Sequence, residues 1–324
     1  MYHHLVIRST PSKPVSDEGG RILKLRLSNL QTWGTMKSAK SNSRNSSTSI
    51  DRLRSIQEFL KVERFKKSSK LRRLLRSSHQ QRWGKFQSRM DAENFLSKSK
   101  RAHYDSPEIV EVNLELFRHV HLFDWPVLYA LQRLAAEGKL KSVVDFGGHV
   151  GAKYYAYRSV MDFPWDLKWQ VVDVPAVCAE GSRRLKPEDS NLSYSEDIGK
   201  IDACDVLFCS GSLQYSDEHL FRLLAEIPLR PQVIILNKVA VSDDMFYTLE
   251  SFEIGRMPYK IVTQDYLDDV RRQFDYRKSI QWSIPEMNFT VPHKGGKSAV
   301  RMMGEIWVDP NNQTNLPILG SNAG

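Results

Sequence analysis

Beyond residue 105 the chain alternates short apolar runs with longer stretches of helical period. The runs fall at 142–146, 168–172, 191–195, 204–209, 232–237, 276–283 and 301–308, and each reads as a strand. VLYALQRLAAEGKL, after Trp125 and Pro126, spaces its apolar residues as one face of a helix that closes near Gly138, and helices follow most of the strands. Ser106 and Pro107 open another helical stretch as an N-cap and first-turn pair. Strand and helix repeated in this way predict right-handed crossovers and a mostly parallel sheet covered on both faces. Only the irregular segment 284–299 joins the last two runs, so one of them is expected to run antiparallel. The predicted class is α/β, a doubly wound, mostly parallel, seven-stranded sheet over residues 106–310.

The first third follows no such pattern. Residues 1–50 mix Ser, Asn, Lys and Pro without sustained periodicity, and SAKSNSRNSSTS is too polar to offset its ordering entropy, so a disordered leader is expected. From Asp51 to Arg76, Leu53, Ile56, Phe59, Leu60, Phe65, Leu71, Leu74 and Leu75 recur between Lys and Arg, which predicts a basic helical extension over 51–105. Charge is correspondingly uneven: 23 Lys plus Arg face 7 Asp plus Glu through Lys100, and 24 face 31 after it. The basic balance therefore belongs to the extension, where residues 51–82 suit weak contact with anionic membrane or RNA, and a solvated helix is the plainer alternative. Residues 311–324 read as a flexible polar tail. No apolar run reaches the ~18 residues of a membrane span, and the opening MYHHLVIRST lacks a signal-peptide core. Cys178, Cys204 and Cys209 have no metal-type spacing, so no metal site is expected; reduced, buried thiols in the cytoplasm are.

The chemistry concentrates in SVVDFGGHVG, residues 142–151. Three apolar or β-branched positions run into Asp145, then Gly147, Gly148 and Gly151 give a strand, a tight turn and a helix start. Phe146 excludes the GxGxxG spacing of a dinucleotide site, whereas Asp145, Gly147 and Gly151 meet the first motif of nucleoside-dependent methyltransferases, with His149 at its usual middle Gly. WQVVD ends a second strand in Asp173, 22 residues past Gly151, where an acid meets ribose hydroxyls or else caps the next helix.

Several separated boxes in order make the chain resemble a family of S-adenosylmethionine-dependent methyltransferases that share a DFGGxxGxxY signature and occur in bacterial polysaccharide-type gene neighbourhoods. These are WGKFQSRMDAENF with HYDSPEI, FDWPVL at 123–128, DFGGHVGAKYY at 145–155, LKWQVVDVP at 167–175, SGSLQYSD at 210–217 and TLESFEIGRMPYKI at 248–261. Ser88-Arg89, Glu250 and Asn237-Lys238 depart from the family's Ser-Trp, Gln and Asp-Arg. The resemblance implies a class I methyltransferase sheet, S-adenosylmethionine as cofactor, and a small polar acceptor, a sugar or sugar-linked metabolite. Cofactor contacts are then expected from Asp145, Gly147, Gly148, Gly151, Asp173, Glu196, Asp197 and Ser210. His149, Tyr154, Gln214 and Tyr215 are the expected acceptor or catalytic residues, with Tyr155 beside them; His149 has a pKa suited to a general base. A noncatalytic nucleotide-binding or scaffold protein and an RNA methyltransferase using the basic extension remain alternatives.

Overall fold

The computed structural model describes residues 82–97, 101–112, 114–216, 220–252 and 254–312, with 314, 316 and 317. The leader over 1–50, the helices over 51–76 and nearly all of the 51–82 contact segment lie outside the described residues.

In chain order the strands are β1 (Arg82–Phe86), β2 (Ser142–Phe146), β3 (Lys168–Val172), β4 (Leu192–Ser195), β5 (Val206–Ser210), β6 (Val233–Val241), β7 (Phe246–Phe252), β8 (Gly255–Ile261), β9 (Arg277–Ser283), β10 (Phe289–His293) and β11 (Gly296–Val308). The helices are α1 (Arg89–Phe95), α2 (Leu114–Phe117), α3 (Trp125–Ala136), α4 (Ala152–Arg158), α5 (Pro175–Arg184), α6 (Leu220–Glu226) and α7 (Gln264–Gln273). The main sheet runs β4-β3-β2-β5-β6-β11, with β9 and β10 also paired to β11. Strands β2 to β6 pair in parallel, while β11 is antiparallel to β6, β9 and β10. All seven strands read from the sequence are present, and the mostly parallel α/β class is observed.

Two-sided burial explains why these runs are continuous rather than alternating. Val143, Val206, Phe208, Val233 and Ile235 face one core, with Tyr154 and Tyr157 of α4 and Leu131 and Leu134 of α3. Their neighbours Val144, Leu207, Cys209, Ile234 and Leu236 face the other, with α6 and α7. The chain runs outward from β2 through β3 to β4, then returns to β5 on the opposite side of β2. Ligands of open α/β sheets bind beyond the strand ends at such a reversal.

Part of the 51–105 extension is not helical. Trp83 and its neighbours form β1, an outer strand of a three-stranded antiparallel sheet in the order β1-β7-β8. An ion pair between Arg82 and Glu250 ties β1 to β7, and the Arg82 guanidinium lies 4.0 Å from the Phe289 ring and 4.6 Å from that of Tyr259. The tail is also less loose than its composition predicts: Leu316 is buried in the main core, and Ser279 Oγ donates to the Pro317 carbonyl. No helix among the described residues is long and apolar enough to cross a membrane.

Candidate functional site

The turn after β2 is built by close approach. Gly147 has φ +68°, its N–H donates to the Val172 carbonyl at 2.8 Å, and a Cβ there would lie 2.3 Å from Ser212 Cβ. A Cβ on Gly148 would lie 2.5 Å from the Asp145 carboxylate. Gly151, at φ +73°, forms the N-cap of α4 against Leu192 and Tyr194. His149 occupies the left-handed region at φ +58°, a strained conformation of the kind that clusters at functional sites.

Asp173 holds that strained residue. Its Oδ2 accepts the His149 N–H at 2.9 Å and its Oδ1 accepts the Val174 N–H at 2.8 Å. Burial raises its pKa to about 6 in spite of those two bonds. Asp145 is 1% exposed; Trp169 Nε1 donates to its Oδ2 at 3.2 Å and its Oδ1 has no partner. Burial pushes its pKa up to about 7, opposed by the Trp169 bond and reinforced by Asp173. The His149 ring is buried as well: Nε2 lies 3.3 Å from the Ile109 carbonyl, which can only accept, so the proton sits on Nε2 and leaves Nδ1 unpartnered. Desolvation lowers its pKa, which keeps the imidazole neutral at pH 7.

Because the folded carboxyl of Asp145 titrates near pH 7 against an ordinary 3.8, the folded chain keeps a proton that the unfolded chain has released between about pH 4 and about pH 7. Stability is lost as pH rises through that window, by at most about 1.4 kcal/mol per pH unit. Asp145→Asn is expected to flatten this slope in urea titrations run across the window. An unchanged slope would assign it to Asp173 or other groups.

Ser210 ends β5, and its Oγ accepts from Asn237 Nδ2 at 3.3 Å. Gln214 is buried and its Nε2 donates to the Lys238 carbonyl. Tyr215 donates its hydroxyl to Glu250, and its ring stacks on Tyr104 at 5.9 Å. Tyr154 is 2% exposed among Tyr155, Phe163 and Trp169 in the core beneath α4, which makes it a packing residue rather than a cleft-facing one. Tyr155 donates to Asp189 Oδ2 at 2.8 Å. Glu196 and Asp197 are exposed just past β4, and Asp197 accepts the Gly199 N–H at 2.9 Å. The structure therefore gathers Asp145, the glycine turn, His149, Asp173, Ser210, Gln214 and Tyr215 at the tips of β2, β3 and β5, with Glu196 and Asp197 one strand outward.

A buried polar cluster lies beside them, joining Asp124 of the FDWPVL box, Lys153 of the glycine-turn box and Asn237, residues that the sequence reading did not pair. Asp124 is fully buried and accepts from Lys153 Nζ at 2.7 Å, the His121 N–H at 2.9 Å, the Tyr157 hydroxyl at 2.9 Å and Asn237 Nδ2 at 3.1 Å. Lys238 follows Asn237 at φ +58°, where the register of β6 against β11 shifts opposite Gly304. Such a bulge re-aims a side chain. The one signal in the sequence is Lys153 and Tyr157 one turn apart on a helix face otherwise made of Ala and Tyr, since a lysine on a buried face requires a counter-ion.

The segment from Arg101 to Phe117 runs over these tips. Asp105 Oδ1 accepts the Ala176 N–H at 2.9 Å, Ile109 meets His149, and Val110 and Leu114 pack on Val150 and Ala152. Burial, then Asp173 and Asp145, raise the Tyr104 phenol well above its usual pKa, as expected for a ring close to both acids. An open cleft of about 470 Å³ lies between this segment and α5, lined by Val110, Glu111, Ala176, Arg183 and Arg184. A cavity of about 20 Å³, room for a single water, lies behind Gln214, against Leu220, Ala240 and Val262. Neither is walled by Asp145 or Gly147.

No protein-family model matches the sequence, and no curated protein matches it. Among solved structures the chain is similar to the 1,6-didemethyltoxoflavin-N1-methyltransferase of Burkholderia thailandensis, with bound 1,6-didemethyltoxoflavin and S-adenosylhomocysteine. That likeness has 16% identity over 57% of this chain and 78% of that one, with a TM-score of 0.35. It is also similar to human N-acetylserotonin methyltransferase in complex with S-adenosylmethionine, at 13% identity over 69% of this chain and 63% of that one, TM-score 0.40. A third is the magnesium protoporphyrin IX methyltransferase of Synechocystis with S-adenosylhomocysteine, at 10% identity over 62% of this chain and 95% of that one, TM-score 0.38.

Proposed function

We propose that the protein is a methyltransferase using S-adenosylmethionine, acting in the cytoplasm on a small polar acceptor, a sugar or sugar-linked metabolite. One observation carries this reading: Asp145 Oδ1, His149 Nδ1 and Ser212 Oγ are buried without partners at the tips of β2 and β5, where the strand order reverses, and Asn237 Oδ1, at the β6 bulge beside the end of β5, is a fourth. Buried polar atoms are ordinarily satisfied, so four unsatisfied ones at a ligand-binding position favour a polar ligand there. The sequence motif at 145–151 suggests the ligand class, and the family's gene neighbourhoods suggest the acceptor class.

When bound, S-adenosylmethionine supplies an electrophilic methyl group on a sulfonium, ready for in-line displacement. The chain's part is to hold, align and exclude water, and orientation alone can supply several of the ~7–11 kcal/mol available to ideal positioning. Gly147, Gly148 and Gly151 give backbone access, and Asp145 takes the amino group of the donor. Asp173 braces the turn and keeps a second lone pair on each oxygen for ribose hydroxyls. Glu196 or Asp197 meets the adenine, and Ser210 lines the same rim. On the acceptor side His149 presents Nδ1 as a base, while Gln214 and Tyr215 shape the wall. The segment 101–117 has to shift for either molecule to enter.

Calorimetry with S-adenosylhomocysteine, S-adenosylmethionine and NAD tests the reading. Both adenosyl compounds are expected to bind and NAD is not, and Asp173→Ala should weaken S-adenosylhomocysteine roughly tenfold or more, the loss of one charge-assisted contact. NAD binding without adenosyl-sulfur binding overturns the proposal.

A further inference from the structure

Lys238 is a buried cation without an anion. It is 9% exposed, and among the described residues its Nζ has neither a carboxylate within 4.0 Å nor a hydrogen-bond partner. Its surroundings are aromatic: Nζ lies 5.3 Å from the Phe117 ring and 5.7 Å from the Phe123 ring. Gly211 leaves the space it occupies, since a Cβ there would stand 3.2 Å from Lys238 Cε and 3.4 Å from Nζ. The bulge in β6 sets this lysine at φ +58°, so a strained backbone aims a charge that nothing among the described residues pairs with.

The neighbourhood holds two lysines and two acids, and neither acid lies within 4.0 Å of Lys238 Nζ. Lys153 and Lys238 are the cations, and Asp124 is already taken by Lys153. The groups that act on Lys238 are Lys153, Asp124 and Asp145, and burial with Lys153 outweighs both acids, lowering its pKa to about 8. Asp145 in turn is pushed toward its neutral form. A largely desolvated ammonium with no anion beside it is costly, and an anion joining it recovers that cost.

We propose that Lys238 is the anchor for an anionic group, a carboxylate or phosphate, on the acceptor, which makes the acceptor an acidic small molecule. The word acceptor rests on the methyltransferase reading; the anion site itself does not depend on it. Lys238 stands on β6, on the far side of β5 from the glycine turn, away from the proposed donor contacts. Phe117 and Phe123, the rings around the ammonium, are each only partly buried.

The donor's own carboxylate is the other source of such an anion, and the test separates the two. Thermal midpoints of the full chain saturated with S-adenosylhomocysteine are measured in sodium phosphate and sodium acetate against sodium chloride at matched ionic strength. A specific anion raises the midpoint by mass action. Wild type is expected to respond, Lys238→Arg to retain a response, and Lys238→Met to lose it, with anion affinity down roughly 10- to 100-fold, the worth of a charged hydrogen bond. Phosphate bound by the basic extension contributes equally in all three and cancels. S-adenosylhomocysteine is expected to bind Lys238→Met as it binds wild type, which also certifies that variant's fold. Loss of that binding in a Lys238→Met protein with wild-type circular dichroism assigns the lysine to the donor and overturns the proposal. An identical anion response in wild type and Lys238→Met overturns it too. Failure of wild type to bind S-adenosylhomocysteine sinks the methyltransferase reading instead, and the anion series run without it still decides the site.

Discussion

Lys153→Met is expected to destabilise the fold by about 3–5 kcal/mol, because it strands a buried carboxylate without its cation. The Lys153 side chain is 6% exposed and that of Asp124 0%, with Nζ and Oδ2 2.7 Å apart. Both oxygens of Asp124 are otherwise used: Oδ2 also takes the His121 N–H, and Oδ1 takes the Tyr157 hydroxyl and Asn237 Nδ2. Removing the ammonium leaves that network with an uncompensated negative charge away from water. Asp124→Asn combined with Lys153→Met removes both charges while Oδ1 keeps its two donors, at the loss of the His121 N–H acceptor, so the double variant should recover part of the loss. Urea midpoints of the single and double variants give the coupling energy directly. A single-variant cost under about 1 kcal/mol would mean that the pair behaves as a solvated one. The pair matters beyond stability, since it fixes Asn237 next to Lys238 and joins α4 to β6.

The central sheet is legible in the sequence because its strands are buried on both faces and are broken by glycine and polar turns. The hairpin of β7 and β8 is not legible as strands. Phe246 to Glu250 are buried without alternation, and Pro258 inside Gly255–Ile261 argues against a strand. That proline is tolerated because β8 is the outer strand of its sheet. A reading that ends β6 at Asn237 stops too early for a related reason. Asn237 and Lys238 look like the polar exit of a strand, yet the bulge absorbs them and the strand runs on to Val241.

Within the candidate site, the placement of the glycine turn and Asp173 at the strand tips is legible because a turn announces itself through neighbouring residues. Tyr154 is not: helical spacing gives two rings in succession and does not say which one meets the sheet, and the structure puts Tyr154 in the core. The Asp124–Lys153 pair joins residues 29 apart in sequence, and no local pattern encodes that distance. Glu250, which stands apart from the pattern of the family the sequence resembles, has a local reason: Arg82 supplies its charge partner and Tyr215 its hydrogen bond.

Gly147→Ala is expected to cost about 2–5 kcal/mol, the sum of a left-handed backbone without glycine and a methyl group driven into a packed neighbour. The two contributions can be measured apart. Gly138, in the turn after α3, has nearly the same φ, +67° against +68°, but a Cβ there meets nothing within 4 Å. Gly138→Ala therefore carries the backbone cost alone, about 1–2 kcal/mol. At Gly147 the added Cβ would be 2.3 Å from Ser212 Cβ, and Ser212 is itself buried, so the tips of β2 and β5 have to part. That separation moves the unpartnered Ser212 Oγ and Asp145 Oδ1 away from each other, so S-adenosylhomocysteine affinity should fall in Gly147→Ala and stay at the wild-type value in Gly138→Ala. Equal destabilisation of the two variants in urea would mean that the close approach of the strand tips carries no energy, and the turn would lose its claim to be shaped for a ligand.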